Sequence, residues 1–218
     1  MVEGMIYLLR VGCPWRDLPA LFGNWKGVYT RWWRWARNGL WNAIVQFLAK
    51  RAEGRLRAVD STFIKVHQHG ANPVGGQAAH AIGRTKGGLN SKLHAVVDGR
   101  GRAVALLLTA GQVNDVKMAP QLLQRFRQVI VVADKAYDSE ALYEVLRTQQ
   151  CQVCIANRLG RGRRLPFHRG WYRKRHRVEN FFQRAKAMRR FSTRYEKTLS
   201  SFFAFACLTA VLDWLNSF

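Results

Sequence analysis

The chain has 218 residues, enough to bury a self-supporting core, and its 36 Lys and Arg against 13 Asp and Glu leave a formal net charge of +23. At 48% hydrophobic and 12% aromatic residues it is too apolar for a disordered basic tail, so a folded protein with an anionic partner is expected; the excess of Arg over Lys, 26 to 10, favours the phosphates of nucleic acid. The N-terminus has no secretory layout, the longest uncharged apolar run (Phe202 to Leu212) is too short for a bilayer, and four scattered cysteines make no disulfide framework, which points to a reduced cytoplasmic compartment.

Residues 1–50 read as helical. Met5, Ile6, Leu8 and Leu9 lie in a helix closed by Gly12 and Pro14, and a second helix from Trp25 to Asn38 puts Val28, Trp32 and Trp35 on one stripe. Arg31 and Arg34 fall off that stripe, and a third helix runs from Leu40 to Lys50. An Arg-rich helix after a turn suits a helix-turn-helix that binds DNA through Arg31 and Arg34. It equally suits a surface helix whose Arg stems cover its tryptophans, and both readings stand at this point. A boundary is expected at Ala52 to Gly54.

From residue 51 to 218 the pattern is that of a mixed α/β sheet covered by helices. Strands are predicted at Leu56 to Val66, Ser91 to Val97 and Ala103 to Thr109, the last two joined by the turn Asp98-Gly99-Arg100-Gly101. A helix at Lys117 to Phe126 precedes a β-branched run, Val129 to Ala133, of the kind buried on both faces. A helix at Ser139 to Gln149, capped by Asp138, and a short strand at Gln152 to Ala156 follow. Helices from about Lys174 to Phe191 and from Leu199 to Leu215 complete the chain.

Acids are scarce, so their positions carry information. Asp60 lies inside an apolar strand, Asp134 closes the most apolar one, and Glu179 is the single acid among 14 Lys and Arg between Arg158 and Arg194. A carboxylate in an apolar strand is costly unless it is paired or binds a metal, and ligands collect beyond the carboxyl ends of strands in α/β sheets. Each acid also has a plain structural reading: a turn contact for Asp60, a pair with Lys135 or a cap on the following turn for Asp134, an i−4 salt bridge from Arg175 to Glu179. Taken together, two strand-borne aspartates and a helix-borne glutamate amid arginines predict a two-metal site for a phosphodiester. At about 100° per residue, Tyr172, Arg175, Glu179 and Lys186 fall on one stripe of a continuous helix, beside an apolar face of Val178, Phe181, Phe182, Ala185 and Met188.

The spacing Tyr172-x2-Arg175-x3-Glu179-x6-Lys186 resembles, position for position, the signature around the catalytic Glu of bacterial insertion-sequence DDE transposases, in the five-like group of the four-like superfamily. Val59 to Thr62 followed by His67-Gln68-His69, Gly83 to Asn90, Gly111 to Asp115, Ala133 to Asp138, Thr193 to Lys197 and Gly12 to Pro19 resemble further family segments, so the likeness spans nearly the whole chain. The resemblance implies a ribonuclease-H-like fold with Asp60, Asp134 and Glu179 as catalytic metal ligands, two Mg2+ ions (Mn2+ substituting), and DNA contacts by Tyr172, Arg175 and Lys186. It implies cleavage at element ends and strand transfer into target DNA by a homodimer on paired ends, associated with the nucleoid when DNA-bound. Family members carry further helical residues ahead of the segment that opens this chain, so the helical domain is expected to be incomplete. A DNA-binding remnant without catalysis and a nuclease on the same fold are the competing functions. Cys151-x2-Cys154 reads as core rather than zinc, since it has no second pair at zinc spacing. His67 and His69 are expected on one strand face, His80, His94 and His168 form no constellation, and Asp115 is a fourth acid near the site.

Overall fold

The apolar run from Leu56 onward forms the strand on which the sheet is built. In the computed structural model, which describes residues 1–157 and 167–216, this strand is β1 (Leu56–Val66). It is joined by β2 (Gly83–Thr85), β3 (Gly88–Val97), β4 (Ala103–Ala110), β5 (Ile130–Ala133), β6 (Gln152–Ile155) and β7 (Thr193–Arg194). β3 pairs antiparallel with β1 and with β4, whereas β5 runs parallel to β1 and β6 parallel to β5. The order is therefore β4-β3-β1-β5-β6, with β2 and β7 as short extensions on β3 and β1. Three antiparallel strands continued by two parallel ones make the mixed sheet that the pattern predicts and the ribonuclease-H-like arrangement that the family resemblance implies.

Local chemistry explains the connections. The β3–β4 turn is closed by Asp98, whose Oδ1 accepts the backbone N–H groups of Arg100 (2.9 Å) and Arg102 (3.0 Å), while Gly101 takes φ 83°. Val131, Val132 and Ala133 of β5 are buried, as expected of a strand covered on both faces.

The helices are α1 (Val2–Val11), α2 (Trp25–Arg37), α3 (Leu40–Ala49), α4 (Asp115–Leu123), α5 (Glu140–Thr148), α6 (Arg169–Tyr172), α7 (His176–Lys186), α8 (Arg189–Ser192) and α9 (Leu199–Asn216). Gly12, in the left-handed conformation, ends α1 by donating its N–H to Leu8 O. α9 is apolar nearly all round because α1, α2, α3, α7 and β4 all pack against it. Trp32 is fully buried there, stacked on Phe205 with ring centroids 3.9 Å apart, and donates its indole N–H to Ser201 Oγ at 2.8 Å. Among the described residues no helix is long and apolar enough to cross a membrane.

Two local expectations need correction. Ser139, not Asp138, occupies the N-cap position of α5; Asp138 is buried and accepts the hydroxyl of Tyr143 at 3.2 Å. The single helix expected from Lys174 to Phe191 is interrupted. α6 gives way to a 3-10 turn at Arg173–Arg175, and the chain leaves the α7 axis at Met188, which is extended. The second break follows from Arg190: its buried guanidinium donates to Glu196 Oε1 (2.6 Å) and Cys13 O (2.5 Å), partners a continued α7 would not reach. The early part of the Arg-rich window, 158–166, lies outside the described residues.

Candidate active site

Sheet register brings the two aspartates together. β1 and β5 are aligned with Ala58 opposite Val132, so two residues further on Asp60, in the middle of β1, comes level with Asp134, just past the carboxyl end of the parallel strand β5. Asp134 Oδ1 accepts the N–H of Ala136 at 2.9 Å and so caps the turn Lys135–Tyr137, while Asp60 Oδ1 accepts the N–H of Ser61 at 2.8 Å. The cap expected of Asp134 is thus realised at one oxygen, whereas Asp60 bonds its neighbour within the strand and serves no turn.

The third acid arrives from α7, which packs on β1. Glu179 stands in its first turn, and the guanidinium of Arg175, at its N-cap position, links helix to strand. Nη2 of Arg175 lies 2.5 Å from Glu179 Oε1, and Nη1 lies 3.4 Å from Asp60 Oδ2. The i−4 salt bridge therefore exists, but it is one arm of a bridge between two candidate catalytic carboxylates. The Tyr172 ring is 5.9 Å from the same guanidinium, although the 3-10 turn between them means that the four-residue motif does not lie on one continuous helix. Lys186 is exposed at the far end of α7.

The electrostatics follow from this crowding. Burial pushes the Asp60 carboxyl up to about 6 from its ordinary 3.8; the Ser61 N–H and Arg175 oppose the rise, while the nearby charges of Asp134 and Glu179 add to it. Arg175 is disfavoured as a cation by burial, but its bond to Glu179 and the charges of Glu179, Tyr172 and Asp60 outweigh this and raise its pKa. At the end of β5 the hydroxyl of Tyr137 is buried without a hydrogen-bond partner, and burial with the charges of Asp115, Asp60 and Asp134 pushes it far above the ordinary phenol range.

Among the described residues no three His, Cys, Asp or Glu side chains are gathered closely enough to hold a metal as they stand. The donor set nevertheless suits a hard divalent cation. Three carboxylates that repel one another offer oxygen ligands, and the space between two of them holds a cation already, the Arg175 guanidinium.

The other expected residues are placed as follows. On α2, Arg34 is exposed and the Arg31 guanidinium lies 5.8 Å from the Trp35 ring centre, so one arginine faces solvent and the other covers a tryptophan. His67 and His69 do not share a strand face: His67 caps a 3-10 turn at Gln68–Gly70, its ring 4.8 Å from that of Tyr195. All four cysteines are free, with Cys154 buried within β6.

One grouping escaped the sequence. Alternation along β3 puts Lys92 and His94 on the face opposite Asp60, since His94 pairs with Ser61 and Ala95 with Asp60. There Lys92 Nζ lies 2.9 Å from Asp115 Oδ1 at the start of α4, and His94 Nε2 meets Thr109 Oγ1 at 2.9 Å. His94 is therefore part of a constellation after all, one whose members are too far apart in sequence to signal it. Burial holds its imidazole down at about 4, below the ordinary 6.5, with Lys92 assisting and Asp115 opposing. A folded pKa below the unfolded one makes the neutral form stabilising: the contribution is complete above pH 6.5 and is lost as pH falls towards 4. It amounts to about 3 kcal/mol. Denaturant titrations at the two ends of that window should show His94→Gln losing less stability on acidification than the wild type, by roughly that amount.

Comparison with known proteins finds matches over most of the chain. Residues 51–214 match the family model described as "Transposase DDE domain", and residues 1–45 match one described as "Putative transposase of IS4/5 family". Over 131 residues, 59% of this chain and the whole of the relative, the sequence is 33% identical to a protein of Brucella ovis named "Putative transposase for insertion sequence element IS6501". Among solved structures, the chain is similar to the piggyBac transposase in a synaptic complex with hairpin DNA (TM-score 0.48, 11% identity, 75% of this chain) and spans 48% of that chain's length. It is also similar to the Mos1 mariner paired end complex with Mn (TM-score 0.36, 15% identity, 100% of this chain and 78% of that one). With its β1-to-α9 region matched end to end by the family model, this chain belongs to the DDE transposase family, whose members catalyse DNA cleavage and strand transfer.

Proposed function

We propose that this chain cleaves the ends of an insertion sequence and joins them to target DNA, with Asp60, Asp134 and Glu179 as the catalytic carboxylates and metal ligands. The observation that carries the reading is that Arg175 joins Glu179 of α7 to Asp60 of β1, while Asp134 lies close enough for its charge to act on Asp60. Two bound Mg2+ ions, or Mn2+ in their place, would activate water or a 3′-OH and stabilise the leaving 3′ oxygen. Asp60 is held within β1 and Asp134 where β5 passes into the turn Lys135–Tyr137, so the sheet would present both carboxylates to the metals. Arg175 and Tyr172 beside these acids, and Lys186 at the far end of α7, contact the DNA backbone, Arg175 by its fork and Lys186 as a point charge.

Residues 1–50 form a helical DNA-binding segment in which Arg31 and Arg34 meet phosphates, and residues 51–218 form the catalytic domain. The partners are the element's terminal inverted repeats and target DNA, engaged by a homodimer in the cytoplasm at the nucleoid. The test is to incubate the protein with Mg2+ and DNA carrying its own element ends and to look for nicks with 3′-OH termini. Binding without cleavage, unchanged by Asp60→Ala or Glu179→Gln, would leave only a DNA-binding remnant.

A net charge of +23 also predicts that affinity for duplex DNA falls steeply with salt. The log–log slope should be about −0.9 for each phosphate neutralised, and Arg34→Ala should make it shallower by roughly one contact. A flat response in a filter-binding or anisotropy titration would exclude DNA as the partner.

A further inference from the structure

Arg175 occupies an unusual place for a residue expected to grip DNA. Its guanidinium is turned towards Glu179 and Asp60, which a divalent cation would need, and its side chain is only 21% exposed. The planar fork has five N–H donors and suits a carboxylate or a phosphate equally well, but the same donors cannot serve both at once. A guanidinium and a divalent cation likewise compete for one set of oxygens. The residue stands where the 3-10 turn Arg173–Arg175 passes into α7, with exposed Arg173 and Lys174 beside it as a landing place for a phosphate.

We propose that Arg175 couples cation binding to DNA binding: without DNA its guanidinium stands in for the cation between Asp60 and Glu179, and a backbone phosphate draws it away and so opens the acids to a metal. This rests on the acid-site reading above and adds its regulation. The two binding events then strengthen one another by the same factor, as linkage requires. The acids stay neutralised in free protein, and metal-dependent chemistry is confined to the DNA-bound state.

Mn2+ binding to the full chain, followed by calorimetry or by electron paramagnetic resonance of the free ion, tests this with and without a short random-sequence duplex. Wild-type protein should bind Mn2+ about 5- to 150-fold more tightly when the duplex is present, the usual range of such couplings. Arg175→Gln should raise the Mn2+ affinity of the DNA-free protein towards the DNA-bound wild-type value and bring the coupling close to one. Arg175→Lys keeps a charge but loses the fork, and should fall between the two. An unchanged wild-type Mn2+ affinity on adding duplex overturns the proposal. So does a folded Arg175→Gln whose DNA-free affinity is no higher than that of the wild type. If no form binds Mn2+ with or without duplex, the acid-site reading itself fails, an outcome distinct from either of these.

Discussion

Asp60→Asn is expected to abolish metal-dependent cleavage while making the protein more stable. On the activity side, the variant removes a charged ligand from the site where negative charge develops in the transition state. Metal stabilisation of that charge is worth several kcal/mol. At 1.36 kcal/mol per decade the loss is on the order of 10³-fold or more. On the stability side, the Asp60 carboxyl is held at about 6 in the fold against an ordinary 3.8. A raised acid pKa means that the charged form is the disfavoured one: the group's contribution is whole below 3.8 and is lost as pH rises through 6. Above that pH the metal-free fold carries a penalty of up to about 3 kcal/mol, which a neutral isostere removes. In a chain of this size that corresponds to a melting temperature higher by up to roughly 6–12 °C. Thermal melts and cleavage assays on the same preparation would decide the matter. A variant that melts lower, or that still cleaves, would place Asp60 outside the catalytic centre.

Trp32→Ala is the substitution with the largest expected cost to folding. The indole is fully buried, stacked on Phe205 and bonded to Ser201, both in α9. Truncation leaves a cavity between the N-terminal helices and α9 and orphans the Ser201 hydroxyl, at a cost of about 3–5 kcal/mol. The melting temperature should fall by roughly 6–20 °C. Because α9 also packs against α7, the helix that carries Glu179, cleavage should fall as well, beyond the share explained by unfolded protein. Trp33→Ala on the same helix makes a useful comparison: Trp33 is exposed, with the Arg37 guanidinium 4.5 Å from its ring centre, and its loss should cost less than about 1 kcal/mol.

The strands were legible wherever they were apolar on both faces or bounded by a strong turn. β1 begins and ends at the predicted residues, and Asp98 closes its hairpin as expected, because period and turn chemistry are local properties. Helix ends were less legible where tertiary contacts override local preference. α7 stops short because Arg190 turns inward to Glu196, and Asp138 leaves the cap of α5 to accept from Tyr143, choices that depend on residues brought close only by folding.

The candidate site divides along the same line. By itself the sequence determined which acids were out of place: Asp60 in an apolar strand, Asp134 at the end of another, and Glu179 alone among arginines, with the spacing of Tyr172, Arg175 and Lys186 around it. Those are matters of composition and interval, which a chain carries before it folds. Only the tertiary structure decided how these groups meet. The register of β1 on β5 sets the two aspartates side by side, and the packing of α7 on β1 sends the Arg175 guanidinium to Asp60 as well as to Glu179. It also gathered Lys92, His94 and Asp115 on the other side of the sheet. Distances between side chains far apart in sequence, and the burial that shifts their charge, exist only once the strands are aligned and water has been excluded between them.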